Sequence, residues 1–514
     1  MRKLPIGIQS FVRIREENFY YVDKTHFIRM LVDEGGGYYF LSRPRRFGKS
    51  LFLDTLRQAF LAREDLFKGL YLENNWDWSV KYPVIKISFG AGAYKNLEEL
   101  EHTKDVILRN QARDHDVKLE EKYAKDKFME LIYKLYKKYN QKVVILIDEY
   151  DKPILDNIED AEIAMQMRES LKSFYSVIKD ADEFLKFVFI TGVTKFSKVS
   201  IFSGLNNLRD ITLIPEYGSV CGYTQNELEE VFKDRLDGVN IEEIKLWYNG
   251  YSWLSEKVYN PFDVLLYLQE KIFRPYWFET GTPTFLIKLL IQNKVSMPNL
   301  EKLEIGEEIV ESFDVDRMYP ETLLFQTGYL TIVERKQRGQ SIKYILDWPN
   351  LEVKMSFSNH ILNTYLRDLR IKEKELDKIY ESLEKSDMRK MEKSIKSFFA
   401  SIPNEWYRKS EIEKYEGFYA SVFYAYITAL GMDVKVEDST NTGKVDMVVK
   451  MGEKCYIFEF KVVRKKSEKG NALRQIKEKK YHEKYVNKSE EIYLIGIEFG
   501  KEERNIVSFE YEKL

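Results

Sequence analysis

Arg43-Pro44-Arg45-Arg46-Phe47-Gly48-Lys49-Ser50 decides the N-terminal part of this chain. The stretch ends in Gly-Lys-Ser, follows the apolar run Tyr38-Tyr39-Phe40-Leu41 and precedes a helix-like segment, Leu51 to Leu61. Strand, tight loop and helix in that order cradle phosphate, because the first N–H groups of a helix lack intrahelical acceptors and point at anionic oxygens. On this reading Lys49 reaches the β- and γ-phosphates of a nucleotide, and the Ser50 hydroxyl ligates Mg²⁺. The expected nucleotide-contacting residues are Arg45, Arg46, Phe47, Gly48, Lys49, Ser50 and Leu51, with Asp148 further along. One departure stands out. Arg43 occupies the place where the usual pattern has its first glycine.

A loop that departs from the pattern needs a partner, and Val143-Val144-Ile145-Leu146-Ile147-Asp148-Glu149 supplies it. Five β-branched or Leu residues in a row fit a strand buried on both faces, as in a parallel sheet. A carboxylate pair at its end falls at the carboxyl edge of such a sheet, where α/β ligands bind. Asp148 is expected to hold the Mg²⁺ water shell, and Glu149 to orient or deprotonate an attacking water. Gly-Lys-Ser alone also fits a surface turn, and Asp-Glu alone fits a polar strand end. The two in this order, about one domain half apart, favour a nucleotide site.

Outward from these motifs, strand-like runs recur at Tyr38–Leu41, Val84–Phe89, Val143–Ile147, Phe187–Thr191 and Ile211–Ile214. Helical stretches such as Asp126–Tyr139 and Glu162–Ile178 lie between them. This alternation predicts a parallel α/β sheet over 1–224. Thr191-Gly192-Val193-Thr194 fits a γ-phosphate sensor and a plain turn equally well. Thr224-Gln225-Asn226-Glu227 fits a capping box. The following residues, 225–350, fit a helical lid or winged-helix module, with Trp247–Tyr251 and Asn260–Phe262 as packed aromatic core under loops. Residues 351–410 mix both charge signs and fit a solvated helical connector.

At 514 residues the chain exceeds a single core. Charged residues make up 32% but the net charge is only −2, so a basic surface for nucleic acid has to be local. The two cysteines, Cys221 and Cys455, lie far apart and fit buried thiols in a reduced compartment. No apolar run approaches the roughly 18 residues of a membrane span, and residues 1–17 contain no apolar signal core. A soluble cytoplasmic protein with no membrane partner is expected.

A second constellation lies in 411–514. A helix is expected from about Glu411 to Leu430, with Tyr419, Phe423, Tyr426, Ile427 and Leu430 on one face and Glu416 near it. Val434–Val436 and a turn at Asn441-Thr442-Gly443 follow. The strands Lys444–Val449 and Cys455–Lys461 are close enough to pair as a hairpin across Met451-Gly452-Glu453. Asp446 begins one strand. Glu459 and Lys461 are two apart on the other and share a face. Charges inside apolar strands cost heavily unless they pair or bind metal. Two carboxylates that bind Mg²⁺, with a lysine that steadies the nucleophile, meet what phosphodiester cleavage requires. An edge hairpin carrying a Glu–Lys pair is the alternative. From Lys461 to Lys488, eleven Lys or Arg oppose three Glu, a local surplus fit for a phosphate backbone or for a solvated helix face. Gln475 and Tyr481 fall in this segment, within reach of the site.

With both constellations in view, the chain resembles a bacterial and archaeal family that joins an N-terminal AAA-ATPase-like domain to a C-terminal PD-(D/E)XK superfamily nuclease domain. The resemblance rests on Pro5-Ile6-Gly7-Ile8, Tyr21-Val22-Asp23-Lys24-Thr25, Arg43–Ser50, Leu146–Asp151, Trp247–Tyr251, Tyr259–Phe262, and Asp446 with Glu459-Phe460-Lys461. It implies an AAA/STAND-like P-loop sheet followed by a restriction-endonuclease-like α/β domain. Arg43 is then the family's own variant. Asp446, Glu459 and Lys461 match the metal-binding and catalytic set, and Glu416 matches the acidic residue of the preceding helix. The expected function is an ATP-binding, ATP-hydrolysing switch coupled to a Mg²⁺-dependent nuclease of DNA or RNA. The alternative is an ATP-dependent signalling or scaffold protein whose C-terminal domain binds nucleic acid or protein without cleaving it. An arginine finger in trans is expected if the protein works as a homo-oligomer, with Arg45, Arg46 and Arg209 as positional candidates.

Overall fold

A computed structural model describes the 514-residue chain except residues 36, 196–200, 203, 204, 206, 281–283, 294, 312–317, 367, 403–415, 441, 442, 464–469, 487 and 501. The chain divides into two compact units, Met1–Gly281 with Glu304–Asn350, and Thr282–Leu303 with Leu351–Leu514. Residues 225–281 and 304–350 therefore share a unit with the first 224 residues.

The first unit is built on strands β1 (Tyr38–Ser42), β2 (Val84–Ser88), β3 (Val143–Asp148), β4 (Leu185–Gly192) and β5 (Arg209–Asp210). Their order is β2-β3-β4-β1-β5 and every pairing is parallel. β4 is thus inserted between the strand that feeds the Gly-Lys-Ser loop and the strand that ends in Asp148. β3 is buried along its whole length, as its unbroken apolar run requires. The expected strand at Ile211–Ile214 is not formed. Pairing stops after Asp210, and Ile211 to Ile214 leave the sheet toward a 3₁₀ turn at Pro215–Tyr217. The groups a longer ladder would use are taken by side chains: the Ser42 N–H donates to the Thr212 hydroxyl, and the Thr212 carbonyl accepts the Arg43 guanidinium, both at 3.0 Å.

After Thr224, whose capping box with Glu227 is present, helices Gln225–Val231, Ile241–Tyr248 and Pro261–Glu270 bury Leu228, Ile244, Tyr248, Val264 and Leu268 against Tyr20 and Val22 of the N-terminal segment. A small sheet of order β6-β8-β7 follows, from β6 (Leu303–Gly306), β7 (Thr331–Arg338) and β8 (Ser341–Asp347). Helices Glu307–Glu311 and Pro320–Thr327 lie between β6 and β7 in sequence, which is the order of a winged helix.

The second unit carries a five-stranded sheet of order β13-β12-β11-β10-β9: β9 (Asp433–Ser439), β10 (Lys444–Met451), β11 (Lys454–Val463), β12 (Glu491–Gly500) and β13 (Asn505–Lys513). β9–β10, β10–β11 and β12–β13 are antiparallel, whereas β11–β12 is parallel and crossed by helix Asn471–Glu478. The β10–β11 hairpin turns at Gly452-Glu453, with Met451 opposite Lys454.

Two expectations for this unit are corrected. Helix Glu416–Thr428 is not apolar on one face only. Tyr419, Val422, Phe423, Tyr424, Ala425, Tyr426 and Ile427 are all buried, because Phe423 packs on Phe458 and Phe460 of the sheet while Tyr426 stacks on Phe398 at 4.1 Å. The segment expected as a solvated connector packs into the same core. Its helices Leu369–Glu384 and Met388–Ala400 bury Leu376, Ile379 and Leu383, and Met391, Ile395, Phe398 and Phe399, spaced by three and four. The mixed charges occupy the remaining faces.

Candidate active sites

The Gly-Lys-Ser loop joins β1 to helix Lys49–Phe60. Gly48 is its N-cap with φ +95°, a left-handed conformation that glycine adopts without strain. Arg46 takes φ +67°. Lys49 is 6% exposed and its Nζ donates to the carbonyls of Arg43 and Pro44, both at 2.8 Å, so the loop's own backbone holds the amine. Burial lowers the Lys49 pKa, against the opposing pull of Asp148.

Arg43 points away from this amine. Its guanidinium is fully buried, donates to the carbonyls of Ser42 (2.8 Å), Thr212 (3.0 Å) and Tyr217 (3.0 Å), and lies over the Trp253 ring at 4.2 Å. Burial pulls its pKa down to about 10. The missing glycine is therefore replaced by an anchor behind the loop. The next residues are held from another side: Trp277 Nε1 donates to the Arg45 carbonyl at 3.0 Å, and Gly328 approaches Pro44 so closely that a Cβ would lie 2.7 Å from its Cγ.

At the end of β3, Asp148 is 4% exposed and accepts the Thr191 hydroxyl at 2.7 Å. Glu149 adopts φ +52° and its carboxylate lies against Gly90 and Ser88 at the end of β2. Burial, and then Asp148, raise its pKa. Asp151, a residue that sequence reasoning left without a role, is fully buried and accepts Val193 N–H (3.0 Å), Thr194 N–H (2.6 Å) and the Thr194 hydroxyl (2.6 Å). Both threonines of Thr191-Gly192-Val193-Thr194 are thus spent on carboxylates.

A cavity of about 470 Å³ opens above these groups. Gly48, Lys49, Ser50, Leu51 and Glu149 line it, as do Pro5, Ile8, Tyr223, Phe262 and Leu265. The loop residues bring backbone N–H groups and an ammonium and the others apolar surface, a combination that suits a phosphorylated nucleoside. Arg45 and Arg46 also line it, with Arg46 over the Phe262 ring at 5.2 Å. Phe47 does not turn its ring inward. It is 1% exposed and packs edge-on against Tyr251 and Trp253. Pro261 and Phe262, expected as core only, belong to the lining. Arg209 is ion-paired with Glu34 of its own chain.

In the second unit, Met447 pairs with Phe458, which brings Asp446 beside Glu459 and Phe460 at the next rung. Asp446 Oδ2 accepts the Phe460 N–H at 2.8 Å. Glu459 is 1% exposed. Its Oε1 lies 3.4 Å from Lys461 Nζ and accepts from Gln475 Nε2, while its Oε2 has no hydrogen-bond partner among the described residues. Burial, and then the Asp446 charge, push the Glu459 pKa up to about 7. Tyr481 is 2% exposed and belongs to the same cluster, its pKa raised by burial while a hydrogen bond to Gln475 opposes. A buried carboxylate with one orphaned oxygen, beside a second carboxylate and a lysine, suits an oxygen-seeking divalent cation. Among the described residues no group of three or more His, Cys, Asp or Glu forms a metal cluster. Glu416 begins its helix, and its side chain lies outside the described residues.

The basic segment is less exposed as charge than its composition suggests. Arg474 pairs with Glu478, Lys477 with Glu512, Lys480 with Glu483 and Lys484 with Asp438. Arg464 to Lys469, and the Asn441-Thr442 turn, lie outside the described residues. Both cysteines are buried free thiols. Among the described residues no helix is long and apolar enough to cross a membrane.

Comparison with known proteins gives two family matches. Residues 5–202 match a family described as Predicted AAA-ATPase, and residues 414–509 match the PD-(D/E)XK nuclease superfamily. A protein of Azotobacter chroococcum mcd 1, described as an uncharacterized protein in the vnfD 5′ region, is 46% identical over 514 residues, 100% of this chain and 99% of that one. No solved structure matches.

Proposed function

The chain belongs to the family that pairs a predicted AAA-ATPase domain with a PD-(D/E)XK nuclease superfamily domain, and from that premise we propose an ATP-controlled, metal-dependent nuclease of DNA or RNA. The observation that carries the nuclease part is the Glu459 carboxylate, buried with Oε2 unpartnered among the described residues and Asp446 and Lys461 beside it. Asp446 and Glu459 would hold the cation, with Glu416 a further ligand by its place at the helix start. Mg²⁺ bound there supplies Lewis-acid stabilisation of charge developing at phosphorus. Lys461, 3.4 Å from Glu459 Oε1, would steady the attacking water. Gln475 donates to the same oxygen of Glu459 that Lys461 approaches.

In the first unit, nucleotide binding would withdraw Lys49 from the carbonyls of Arg43 and Pro44 to a phosphate, a charge-assisted contact. Ser50 and Asp148 would hold Mg²⁺. Glu149, with a raised proton affinity, would take the proton of the attacking water. Nucleotide occupancy would then set cleavage by the second unit. A second reading, binding without cleavage, draws on the ion-paired basic segment, which presents less charge to a phosphate backbone.

The deciding experiment incubates the protein with single- and double-stranded DNA and RNA, with and without ATP and Mg²⁺ or Mn²⁺. Metal-dependent cleavage that responds to ATP, and that disappears in Asp446→Ala while phosphate release from ATP persists, supports the proposal. Cleavage that survives in Asp446→Ala removes the C-terminal site from it, and ATP-dependent association without cleavage favours the second reading.

A further inference from the structure

A second carboxylate is buried in the C-terminal sheet one strand away from Glu459. Glu498 on β12 is 1% exposed and pairs in register with Lys461. Both its oxygens are occupied. Oε2 accepts the Gly470 N–H at 3.0 Å, and Oε1 accepts those of Asn471 at 2.7 Å and Ala472 at 3.2 Å. These donors open helix Asn471–Glu478, whose N-cap residue, Gly470, has no side chain to offer. Helices usually receive this cap from their own chain nearby. Here it comes from the sheet, 26 to 28 residues downstream. Two residues earlier on the same strand, Gly496 lets the helix in: a Cβ there would stand 2.4 Å from the Leu473 nitrogen. Gly496 sets how close the helix lies, and Glu498 sets where it starts.

One turn into this helix, Gln475 delivers its Nε2 to Oε1 of Glu459, the oxygen that Lys461 also approaches. Two donors on Oε1 leave Oε2 as the oxygen without a hydrogen-bond partner among the described residues. We propose that Glu498 is a positioning residue of the C-terminal site: by anchoring the helix it sets Gln475 against Oε1 of Glu459 and so presents Oε2 to a divalent cation. The inference rests on the metal-site part of the proposed function. Without that anchor the helix end shifts, Gln475 releases Oε1, and the carboxylate loses its orientation. Groups behind metal ligands act in this way elsewhere, with losses of about 10–100-fold in metal affinity when they are removed.

The test measures Mn²⁺ binding to the whole, nucleotide-free chain by calorimetry, with the binding event lost in Asp446→Ala assigned to this site. Glu498→Gln should weaken that event about tenfold, Gln475→Ala by a similar factor, and the double variant no further than either alone. A merely structural Glu498 would lower the melting temperature and leave Mn²⁺ affinity unchanged. That outcome overturns the proposal, as do additive losses in the double variant. If Glu498→Gln does not fold, Gln475→Ala decides, since unchanged affinity there breaks the link to Glu459. Wild-type protein that binds Mn²⁺ with this mutational pattern but cleaves nothing supports the positioning role and overturns the nuclease reading alone. Wild-type protein that binds no Mn²⁺ overturns both.

Discussion

Restoring the conventional glycine at position 43 should damage this protein. Arg43→Gly removes the donor to three buried carbonyls, those of Ser42, Thr212 and Tyr217. Orphaning a buried acceptor costs about 1–3 kcal/mol, so about 6 kcal/mol is at stake. The ring contact with Trp253 at 4.2 Å adds about 2 kcal/mol for a desolvated cation. Two terms offset this. Burial holds the Arg43 pKa at about 10 against 12.5. At 1.36 kcal/mol per unit, about 3 kcal/mol of desolvation cost is no longer carried. Water entering the vacated space recovers about 2 kcal/mol more. The remainder is a loss of about 3 kcal/mol. In a unit of this size that lowers the melting temperature by about 6 °C, at roughly 2 °C per kcal/mol. The assay is thermal unfolding of wild type and Arg43→Gly, paired with titration of a fluorescent ATP analogue. ATP affinity should fall as well, because the side chain that ties the start of the phosphate loop to Thr212 and Tyr217 is lost and the loop backbone is no longer held in one shape. A variant that melts at the wild-type temperature and binds ATP as tightly or more tightly would refute the anchor role.

Three further outcomes follow from the same geometry. Lys49→Ala should weaken ATP binding about a hundredfold, the equivalent of a charge-assisted contact of about 3 kcal/mol, and unchanged binding sinks the phosphate-loop assignment. Glu149→Gln should bind ATP normally while phosphate release falls by about 10²-fold or more, as loss of a general base does; undiminished release would assign the base elsewhere. At Glu459 the folded pKa of about 7 exceeds the ordinary carboxyl value of 4.5, so the folded protein binds more protons between them and its metal-free stability falls as pH rises through that window. Proton and metal compete for this carboxylate, so Mn²⁺ affinity should rise about tenfold per pH unit below 7 and level off above it. Both trends should vanish in Glu459→Gln, and a Mn²⁺ affinity flat from pH 5.5 to 8 would contradict the burial of that carboxylate.

What was legible in the sequence was chemistry carried by neighbours. Gly48-Lys49-Ser50 after an apolar strand, and Asp148-Glu149 after another, need only a few residues to be recognised; Gly48, Lys49, Ser50 and Glu149 line one cavity, while Asp148 is buried against the Thr191 hydroxyl. What was not legible depended on distant partners. The carbonyls that receive Arg43 lie 169 and 174 residues away in Thr212 and Tyr217, so a buried anchor reads in sequence as a broken motif. Lys477 and Lys484 read as part of a basic patch because Glu512 and Asp438, which neutralise them, belong to other strands. In helix Glu416–Thr428 the period of three and four was real, but Val422, Tyr424 and Ala425 off that stripe are apolar too, the sign of a helix buried all round. Glu498 went unread although it gives the same signal as Glu459, a lone acid in an apolar strand. It lacked a second charge two residues away to draw attention.

The carboxylates of the two sites share one physical device. Each has an oxygen committed to the protein: Asp148 to the Thr191 hydroxyl, Asp446 to the Phe460 N–H, and Glu459 to Gln475. Such a commitment fixes the plane of the carboxylate before any cation arrives, so binding does not have to freeze it. Carboxylates with both oxygens spent do different work. Asp151 and Glu498 spend both oxygens or several bonds on backbone N–H groups, and they hold loops and helix ends in place. An unspent oxygen does not by itself mark a ligand, because buried Glu375, with Oε1 on Lys378 and Ser397, also keeps an Oε2 without a hydrogen-bond partner among the described residues. Glu459 differs in its neighbour: Asp446 stands opposite it on the adjacent strand, so two carboxylates face one place and a cation there would offset both charges.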